Sequence, residues 1–297
     1  GRHRCYRRIL RHRPIDSRNL LTAIIFGETD DLHVQAVSSY LSDYIILDNQ
    51  SIQNNISITT DLTSKPVVFL DNKPIKATSV YWRNLDISSF EYGEHLPNAV
   101  AYMQLFLESF SDAIWVNPLS SFLDHYTKLK QLRLLDICKP QTLITNNLFD
   151  ARKFISMFES VAIKPVAGGE YIQRIYKPKK LKSKHLKQPI TLQEFIPGVN
   201  IRTFVIGDKV YSAEVKSDFD DFRLDDFNYN PIELSEAETE LALNIKQKLG
   251  YQWTAIDWIR YNDNLYFLEA NFSPMFLFFE SETSFPITKE LANLLIQ

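Results

Sequence analysis

The sequence has few cysteines and histidines, and it lacks long apolar runs. Its two cysteines, Cys5 and Cys138, exclude a disulfide framework and fit a reducing compartment, so we expect a cytoplasmic protein. The six histidines are scattered and give no His-rich metal site. Because no apolar run is long enough to cross a bilayer, we expect no membrane partner. The net charge of −3 provides no general attraction to nucleic acid.

Several nucleotide and hydrolase motifs are also missing. The sequence contains no Gly-x-x-x-x-Gly-Lys-Ser/Thr loop and no Gly-x-Gly-x-x-Gly fingerprint. It contains no Gly-x-Ser-x-Gly nucleophile elbow either. Among only eight glycines, the pair Gly168-Gly169 follows a predicted strand that ends near Lys164. Such a turn lets backbone N–H groups approach an anion closely.

The composition is that of an ordinary soluble globular protein, with 45% hydrophobic and 23% charged residues. Short apolar runs alternate with helical periods, which predicts an α/β (α+β) chain of two or three subdomains. We divide it into a basic N-terminal tail (1–18), an N-terminal α/β domain (19–118) and two later subdomains (119–190 and 191–297). The tail reads as a basic arm, a mobile segment or a remnant of expression, and we assign it no function.

The most informative stretch runs from Asp257 to Asn271. Apolar and polar residues alternate on both sides of Asn262–Asn264, which predicts a β-hairpin with a short turn. If the turn centres on Asp263, Asp257 lies opposite Glu269, and Asn271 shares the face of Glu269. Two carboxylates across a ladder repel each other unless a cation lies between them, and oxygen ligands of this kind suit Mg²⁺. The alternative is a polar hairpin face in water.

Cationic side chains precede this hairpin in the chain. Lys128 falls on a predicted helix (124–135), Lys164 ends a predicted strand, and Arg202 and Arg223 follow. Such cations, together with Mg²⁺, would neutralise a triphosphate, which is most of what phosphoryl transfer requires of a protein. Each lysine alone is more often a surface residue, so the order of these groups along the chain carries the argument.

That order resembles the ATP-grasp superfamily from about Leu119 to the end of the chain. The matching pieces are Lys128, Ala162–Pro165, Gln193–Gly198, Ile201–Gly207, Asp257 and Glu269–Asn271. The resemblance implies an ATP-grasp fold preceded by a small N-terminal α/β domain, with ATP and Mg²⁺ as cofactors.

The resemblance also implies roles for individual residues. Adenine would bind at the Gln193–Ile196 strand, whose edge can present backbone N–H and C=O groups, and the lysines would hold phosphates. The residues implied around ATP are Lys128, Lys164, Gly168, Gly169, Gln193, Glu194, Phe195, Ile196 and Asn200. The implied metal ligands are Asp257, Glu269 and Asn271. The implied catalytic residues are Arg202, Asp221 and Arg223.

Within the superfamily the chain looks most like the ligases that make graspetides, which are microviridin-type peptides with ω-ester or ω-amide links. Tyr81–Arg83 looks like the Trp-Arg element of that family, although a strand-end aromatic beside a salt-bridging arginine is the simpler reading. Asp221–Arg223 looks like its Asp-Trp-Arg element with Phe in place of Trp. In the family the Asp is associated with the substrate peptide and the Arg with phosphate. After Asn271 the chain reads Phe-Ser-Pro-Met-Phe, where many relatives have Asn-Pro-x-Gly-Gln, which leaves branch and substrate open.

The implied reaction is carboxylate activation on a ribosomally made precursor peptide. ATP would phosphorylate an Asp or Glu side chain, and a Ser/Thr hydroxyl or Lys amine of the same peptide would displace phosphate, with water kept out. Two other readings stay open, namely a ligase acting on amino acids or a protein tail, as ribosomal-protein glutamate ligases do, and a non-catalytic nucleotide-binding module. A homodimer is implied by the resemblance alone. The lysine-rich stretch 177–187 and the aspartate-rich stretch 218–226 read as solvated loops, with anion or peptide contacts as alternatives.

Overall fold

The computed structural model describes residues 22–85, 96–118, 120, 128–166, 173–175, 177, 179, 181–182, 186–216 and 228–296. The N-terminal strands are β1 (Ala23–Phe26), β2 (Tyr44–Leu47), β3 (Ile56–Thr59), β4 (Val67–Leu70), β5 (Lys73–Pro74), β6 (Ser79–Trp82) and β7 (Ile114–Val116). The helices between them are α1 (Leu32–Ser38), α2 (Asn49–Asn54) and α3 (Leu96–Ser109). The basic tail lies outside the described residues.

The N-terminal domain is built on a parallel sheet in the order β2-β1-β6-β7. All residues of β1 and β6 are buried, as expected for inner strands of a parallel sheet that is covered on both faces. Strands β3, β4 and β5 form a separate antiparallel sheet. The predicted α/β character of this domain is confirmed.

The second region contains a four-stranded antiparallel sheet in the order β10-β9-β11-β8. Its elements are α4 (Lys128–Leu134), β8 (Thr142–Thr145), α5 (Leu148–Ile155), β9 (Val161–Pro165), β10 (Gln173–Ile175) and β11 (Ile190–Glu194). Helix α5 packs Ala151 and Ile155 against this sheet. Because β11 pairs with β8 and β9, the sheet extends past the boundary predicted at residue 190.

The C-terminal region is a five-stranded antiparallel sheet in the order β14-β13-β12-β15-β16. Its elements are β12 (Val199–Ile206), β13 (Lys209–Lys216), β14 (Asn228–Ile232), α6 (Glu236–Lys248), β15 (Trp253–Tyr261), β16 (Asn264–Asn271), α7 (Leu277–Thr283) and α8 (Ile287–Leu295). Helix α6 begins at a capping box, in which Ser235 and Glu238 bond to each other's backbone N–H groups. None of the helices within the described ranges has the length and apolar character needed to span a bilayer.

The two faces of the C-terminal sheet bury different hydrophobic clusters. One face contributes Ile201 and Trp258 to a cluster that also contains Phe26 of the N-terminal domain. The other face contributes Phe204 and Ala255 to a second cluster. Since side chains alternate along a strand, Arg202 and Asp257 share the face of Phe204 and Ala255. Packing on both faces therefore fixes the strands that present these two charged residues.

The last hairpin forms with a tighter turn than the sequence predicts. Asn262 and Asp263 both adopt positive φ, and Tyr261 pairs with Asn264 across a two-residue turn. The prediction of a turn centred on Asp263 is therefore wrong. A β-bulge next to Asp257 shifts the register by one residue, and this shift places Asp257 opposite Glu269 as predicted.

Gly198, between β11 and β12, lies against the backbone of β15. A Cβ atom at this position would meet the Arg260 carbonyl oxygen at 2.4 Å. Glycine is therefore required here for close approach of two chain segments. This contact explains the glycine at the end of the Gln193–Gly198 motif.

A buried polar cluster joins the N-terminal domain to the segment that follows β16. Arg83 Nε lies 3.1 Å from Asp31 Oδ2, and Arg83 Nη1 donates to the Ser273 carbonyl at 3.1 Å. The Phe276 N–H donates to His33 Nε2 at 3.2 Å. Arg83 thus forms the salt bridge that the simpler reading predicts, and the cluster anchors the chain just beyond Asn271.

We expect this cluster to make the thermal stability of the protein depend on pH. Burial and the nearby Arg83 guanidinium lower the pKa of His33 below its usual 6.5, although Asp31 opposes them. Nε2 must stay unprotonated to accept from Phe276, so the folded state binds a proton less readily than the unfolded chain. We therefore expect the contribution of His33 to the free energy of unfolding to be complete above about pH 6.5 and to decrease at lower pH. Each kcal/mol lost should lower the melting temperature by roughly 2–4 °C.

The measurement is a thermal melting series between neutral and mildly acidic pH for wild type and His33→Gln. The wild-type melting temperature should fall more steeply with decreasing pH than that of the variant, whose side chain has no proton to gain. Parallel curves for the two proteins would show that His33 does not contribute.

Candidate active site

The structure brings together the three oxygen-bearing side chains that the hairpin predicts. Asp257 pairs with Glu269 across β15 and β16, and Asn271 lies on the same face of β16. The Asn271 Nδ2 donates to Asp257 Oδ2 at 3.0 Å. The side chains of Asp257 and Glu269 are 19% and 27% exposed, so the group is shielded from solvent but not sealed.

Two cations approach this group from different elements. Lys128 on α4 places Nζ 3.5 Å from Glu269 Oε2 and 3.3 Å from Asn271 Oδ1. Arg202 on β12 is paired with Asp257 across the sheet, and its Nε lies 3.3 Å from Asp257 Oδ1. Both contacts join residues far apart in sequence. The structure therefore places Lys128 and Arg202 in one cluster with the two carboxylates. An anion and a cation could bind side by side at this cluster.

Burial dominates the electrostatics of the cluster. It raises the pKa of Asp257, and although Arg202 opposes this effect, the negative charge of Glu269 adds to it. Burial is the largest effect on Arg202 and alone would lower its pKa, but Asp257, Tyr229 and Glu269 together outweigh it and raise the pKa of the guanidinium. Arg202 Nε, although close to Asp257, has no aligned hydrogen-bond acceptor among the described residues.

The donor set fits Mg²⁺. The cation prefers hard oxygen ligands and usually takes one or two carboxylates together with phosphate oxygens and water. Within the described ranges no three His, Cys, Asp or Glu residues gather as a metal cluster, and here the third donor is an amide. For Asn271 to be a ligand its amide must turn, because Nδ2 now faces Asp257 and Oδ1 faces Lys128.

A pocket adjoins this cluster, between α4, the second sheet and β16. Its lining residues are Lys128, Leu129, Leu132, Thr142, Ile144, Lys164, Pro165, Val166, Thr191, Leu268 and Glu269. Lys164 Nζ donates to Gln193 Oε1 at 2.9 Å, and Gln193 Nε2 donates to Thr142 Oγ1 at 3.0 Å. A lining of apolar side chains and two lysines would suit a base and its phosphates.

The backbone of the Gln193–Ile196 segment is less free than the sequence argument assumes. Strand β11 has neighbours on both sides, and the N–H groups of Glu194 and Phe195 donate to the carbonyls of Gln141 and Ser160. The expectation that the edge of this strand offers its backbone to adenine is therefore wrong for Glu194 and Phe195 N–H. Glu194 Oε2 also accepts from Gln141 N at 3.1 Å.

Other predicted residues lie apart from the cluster or outside the described residues. Asn200 is at the start of β12, paired with Ile259. Gly168, Gly169, Asp221 and Arg223 fall in segments that the structure does not describe.

Tyr229 belongs to the site and was missed by the sequence argument. Its hydroxyl accepts from Arg202 Nη1 at 3.4 Å, and its side chain is buried. Burial raises the pKa of Tyr229, so the hydroxyl stays neutral. Its place on β14, which three strands separate from β16 in the sheet, is not visible in the local pattern of the sequence.

Comparison with known families decides the classification. The profile of the RimK-like ATP-grasp domain matches residues 124–295, which is more than half of the chain. The chain belongs to the RimK-like ATP-grasp family. Lys128, Arg202 and the three oxygen-bearing residues all fall inside the matched range.

Solved structures of this fold align with nearly the whole chain. ATP-grasp ligase PsnB complexed with minimal precursor is 25% identical, with a TM-score of 0.81 over 92% of this chain and 97% of that chain. Macrocyclase MdnC bound with precursor peptide MdnA, from Microcystis aeruginosa MRC, is 19% identical, with a TM-score of 0.76 over 93% of this chain and 99% of that chain. These likenesses confirm the ATP-grasp architecture together with its N-terminal domain.

Curated relatives match by sequence over a shorter range. Tetrahydromethanopterin:alpha-L-glutamate ligase of Methanocaldococcus jannaschii is 29% identical over 56% of this chain and 63% of its own length. A probable alpha-L-glutamate ligase of Histophilus somni is 30% identical over 51% of this chain and 56% of its own length. The chain thus spans about three fifths of the length of these relatives.

Proposed function

We propose that the chain is an ATP-dependent peptide ligase that joins Asp or Glu side chains of a precursor peptide to Ser/Thr hydroxyls or Lys amines. The observation that carries the proposal is the cluster of Asp257, Glu269 and Asn271 with Lys128 and Arg202, set in an ATP-grasp fold. The near-complete alignment with PsnB and MdnC, both solved with precursor peptides, favours a peptide substrate.

In this proposal the pocket beside the cluster holds the nucleotide. Lys128 and Lys164 would bind phosphate oxygens, since both line the pocket. Asp257, Glu269 and Asn271 would hold Mg²⁺. The bound Mg²⁺ would neutralise the charge of the phosphates during transfer.

The proposed chemistry proceeds in two steps. A carboxylate oxygen of the peptide attacks the γ-phosphorus of ATP, the bond to the β,γ-bridging oxygen breaks, and ADP leaves. A hydroxyl or amine then attacks the acyl carbon, inorganic phosphate leaves, and the nucleophile gives up its proton. Arg202, which contacts Asp257 in the cluster, would stabilise charge on the transferred phosphoryl group. Asp221 and Arg223 stay predictions for contacts with peptide and phosphate, and a homodimer stays a prediction.

The second candidate is a ligase that adds an amino acid to a carboxylate. The sequence relatives favour it, because those named are alpha-L-glutamate ligases. The two candidates share the phosphorylation step and differ in the nucleophile that attacks the acyl phosphate. The molecule that supplies this nucleophile therefore decides between them.

The test is an ADP-release assay with ATP and Mg²⁺ and two sets of acceptors. We expect release to be stimulated by a short peptide, rich in Thr, Ser or Lys and in Asp or Glu, encoded beside the gene. Mass spectrometry should show loss of one water per linkage in that peptide. Stimulation by free glutamate with a carboxylate acceptor, and an unmodified peptide, would favour the second candidate.

A companion prediction concerns Lys164. Lys164→Met should weaken nucleotide binding by roughly 10- to 100-fold, because it removes a positive charge from the pocket that is to hold the phosphates. The measurement is ADP binding by calorimetry, with Lys153→Met on the exposed side of α5 as the matched control. Equal affinities for the two variants would contradict the placement of the phosphates at Lys164.

A further inference from the structure

A buried glutamine joins helix α4 to the strand that carries two of the proposed metal ligands. Gln131 is 1% exposed and lies one helical turn after Lys128, on the same face of α4. Its Nε2 donates to the Ala270 carbonyl at 2.8 Å, and its Oε1 accepts from the Ala270 N–H at 2.9 Å. Both groups of one side-chain amide are thus bonded to one residue of β16.

Ala270 lies between Glu269 and Asn271, on a strand at the edge of its sheet. Strand β16 has β15 on one side only. The peptide groups of Ala270 that bond to Gln131 therefore face a side where the sheet offers no partner. The Gln131 amide has the same donor and acceptor as a peptide group, and it takes the place of a neighbouring strand at this one residue.

We propose that Gln131 is a positioning residue for the metal site, and this proposal rests on the proposed function. By fixing Ala270 from the outer edge, it sets where the flanking residues Glu269 and Asn271 present their oxygens. The same helix carries Lys128, which contacts both of those side chains. Gln131 therefore fixes the distance between the phosphate-binding lysine and the metal-binding strand.

A purely structural role would make a different prediction. Any buried side chain that bonds to a distant backbone group stabilises the fold, and Ser79 provides a matched example. Ser79 is 2% exposed, and its Oγ donates to the Leu295 carbonyl at 2.6 Å, far from the proposed site. Loss of either bond should reduce thermal stability, but only loss of the Gln131 bonds should weaken metal binding.

The test compares wild type with Gln131→Leu, Gln131→Glu and Ser79→Ala. Mn²⁺ binding in the presence of ADP is measured by calorimetry, with Mn²⁺ standing in for Mg²⁺. We expect Gln131→Leu to weaken Mn²⁺ binding by about 10- to 100-fold, the usual effect of removing a group that orients metal ligands. Gln131→Glu keeps the acceptor for the Ala270 N–H and should lose less, while Ser79→Ala should bind as wild type. If Gln131→Leu does not fold, the comparison rests on Gln131→Glu, which should still bind Mn²⁺ several-fold more weakly than Ser79→Ala.

A second readout does not depend on metal or activity. Hydrogen exchange of the peptide that contains Ala270 should accelerate in Gln131→Leu without ligand, and stay unchanged in Ser79→Ala. Wild-type affinity for Mn²⁺ in a folded Gln131 variant would overturn the positioning role while leaving the proposed function intact. Failure of wild type itself to bind Mn²⁺ with ADP would instead contradict the proposed function, and the positioning role with it.

Discussion

Glu269→Gln is expected to lower kcat/KM for ADP formation by roughly a thousandfold or more, because it removes one negative charge from the proposed metal ligands. The substitution keeps the size of the side chain. Lys128 retains Asn271 Oδ1 as a partner at 3.3 Å, so we expect the fold to stay intact. Glu269→Ala should have the same effect on turnover.

The measurement is steady-state ADP release with peptide, ATP and Mg²⁺, together with a thermal melt of each protein. Glu282→Gln makes the same chemical change at an exposed position of α7 and serves as the control. Its turnover should equal that of wild type. Normal turnover in Glu269→Gln would refute the assignment of Glu269 to the metal.

Arg202→Met should produce the largest loss of stability. It removes the cation 3.3 Å from Asp257 and leaves that carboxylate buried beside Glu269. Breaking a buried ion pair by removing one partner costs about 3–5 kcal/mol. Turnover should also fall sharply, because the same guanidinium is proposed to bind the phosphoryl group.

A double variant separates the two effects. Arg202→Met with Asp257→Asn removes both charges, so it should recover much of the stability and none of the activity. Lys209→Met is the control for loss of a surface ion pair, since the side chains of Lys209 and Asp208 are 54% and 86% exposed. This control should change the free energy of unfolding by less than about 1 kcal/mol. Urea denaturation of the four proteins gives the free energies. If the double variant is no more stable than Arg202→Met, the loss of stability does not come from leaving the Asp257 carboxylate buried and unpaired.

Much of the C-terminal hairpin could be predicted because its pattern is local. The alternation along β15 and β16 predicts which face each side chain takes, and the facing of Asp257 and Glu269 is confirmed. The two-residue turn and the bulge that compensates for it could not be predicted. A bulge adds one residue without breaking the alternation enough to be read from the sequence.

The parts of the site that the sequence did not predict depend on long-range packing. Gln131 meets Ala270 across 139 positions, and Tyr229 reaches Arg202 from another strand. Neither contact leaves a periodic signal, because each depends on how separate elements pack. The inner position of β11 in its sheet was missed for the same reason, since the order of strands is set by connections between them.

The most direct measurement is the anomalous diffraction of Mn²⁺ in crystals of the protein grown with Mn²⁺ and ADP. We expect one or more peaks within about 2.2 Å of oxygens of Asp257, Glu269 and Asn271, with the Asn271 amide turned so that Oδ1 faces the metal. A metal bound elsewhere, with Arg202 and Lys128 still paired to the carboxylates while nucleotide is bound, would contradict the assignment of Asp257, Glu269 and Asn271 as metal ligands.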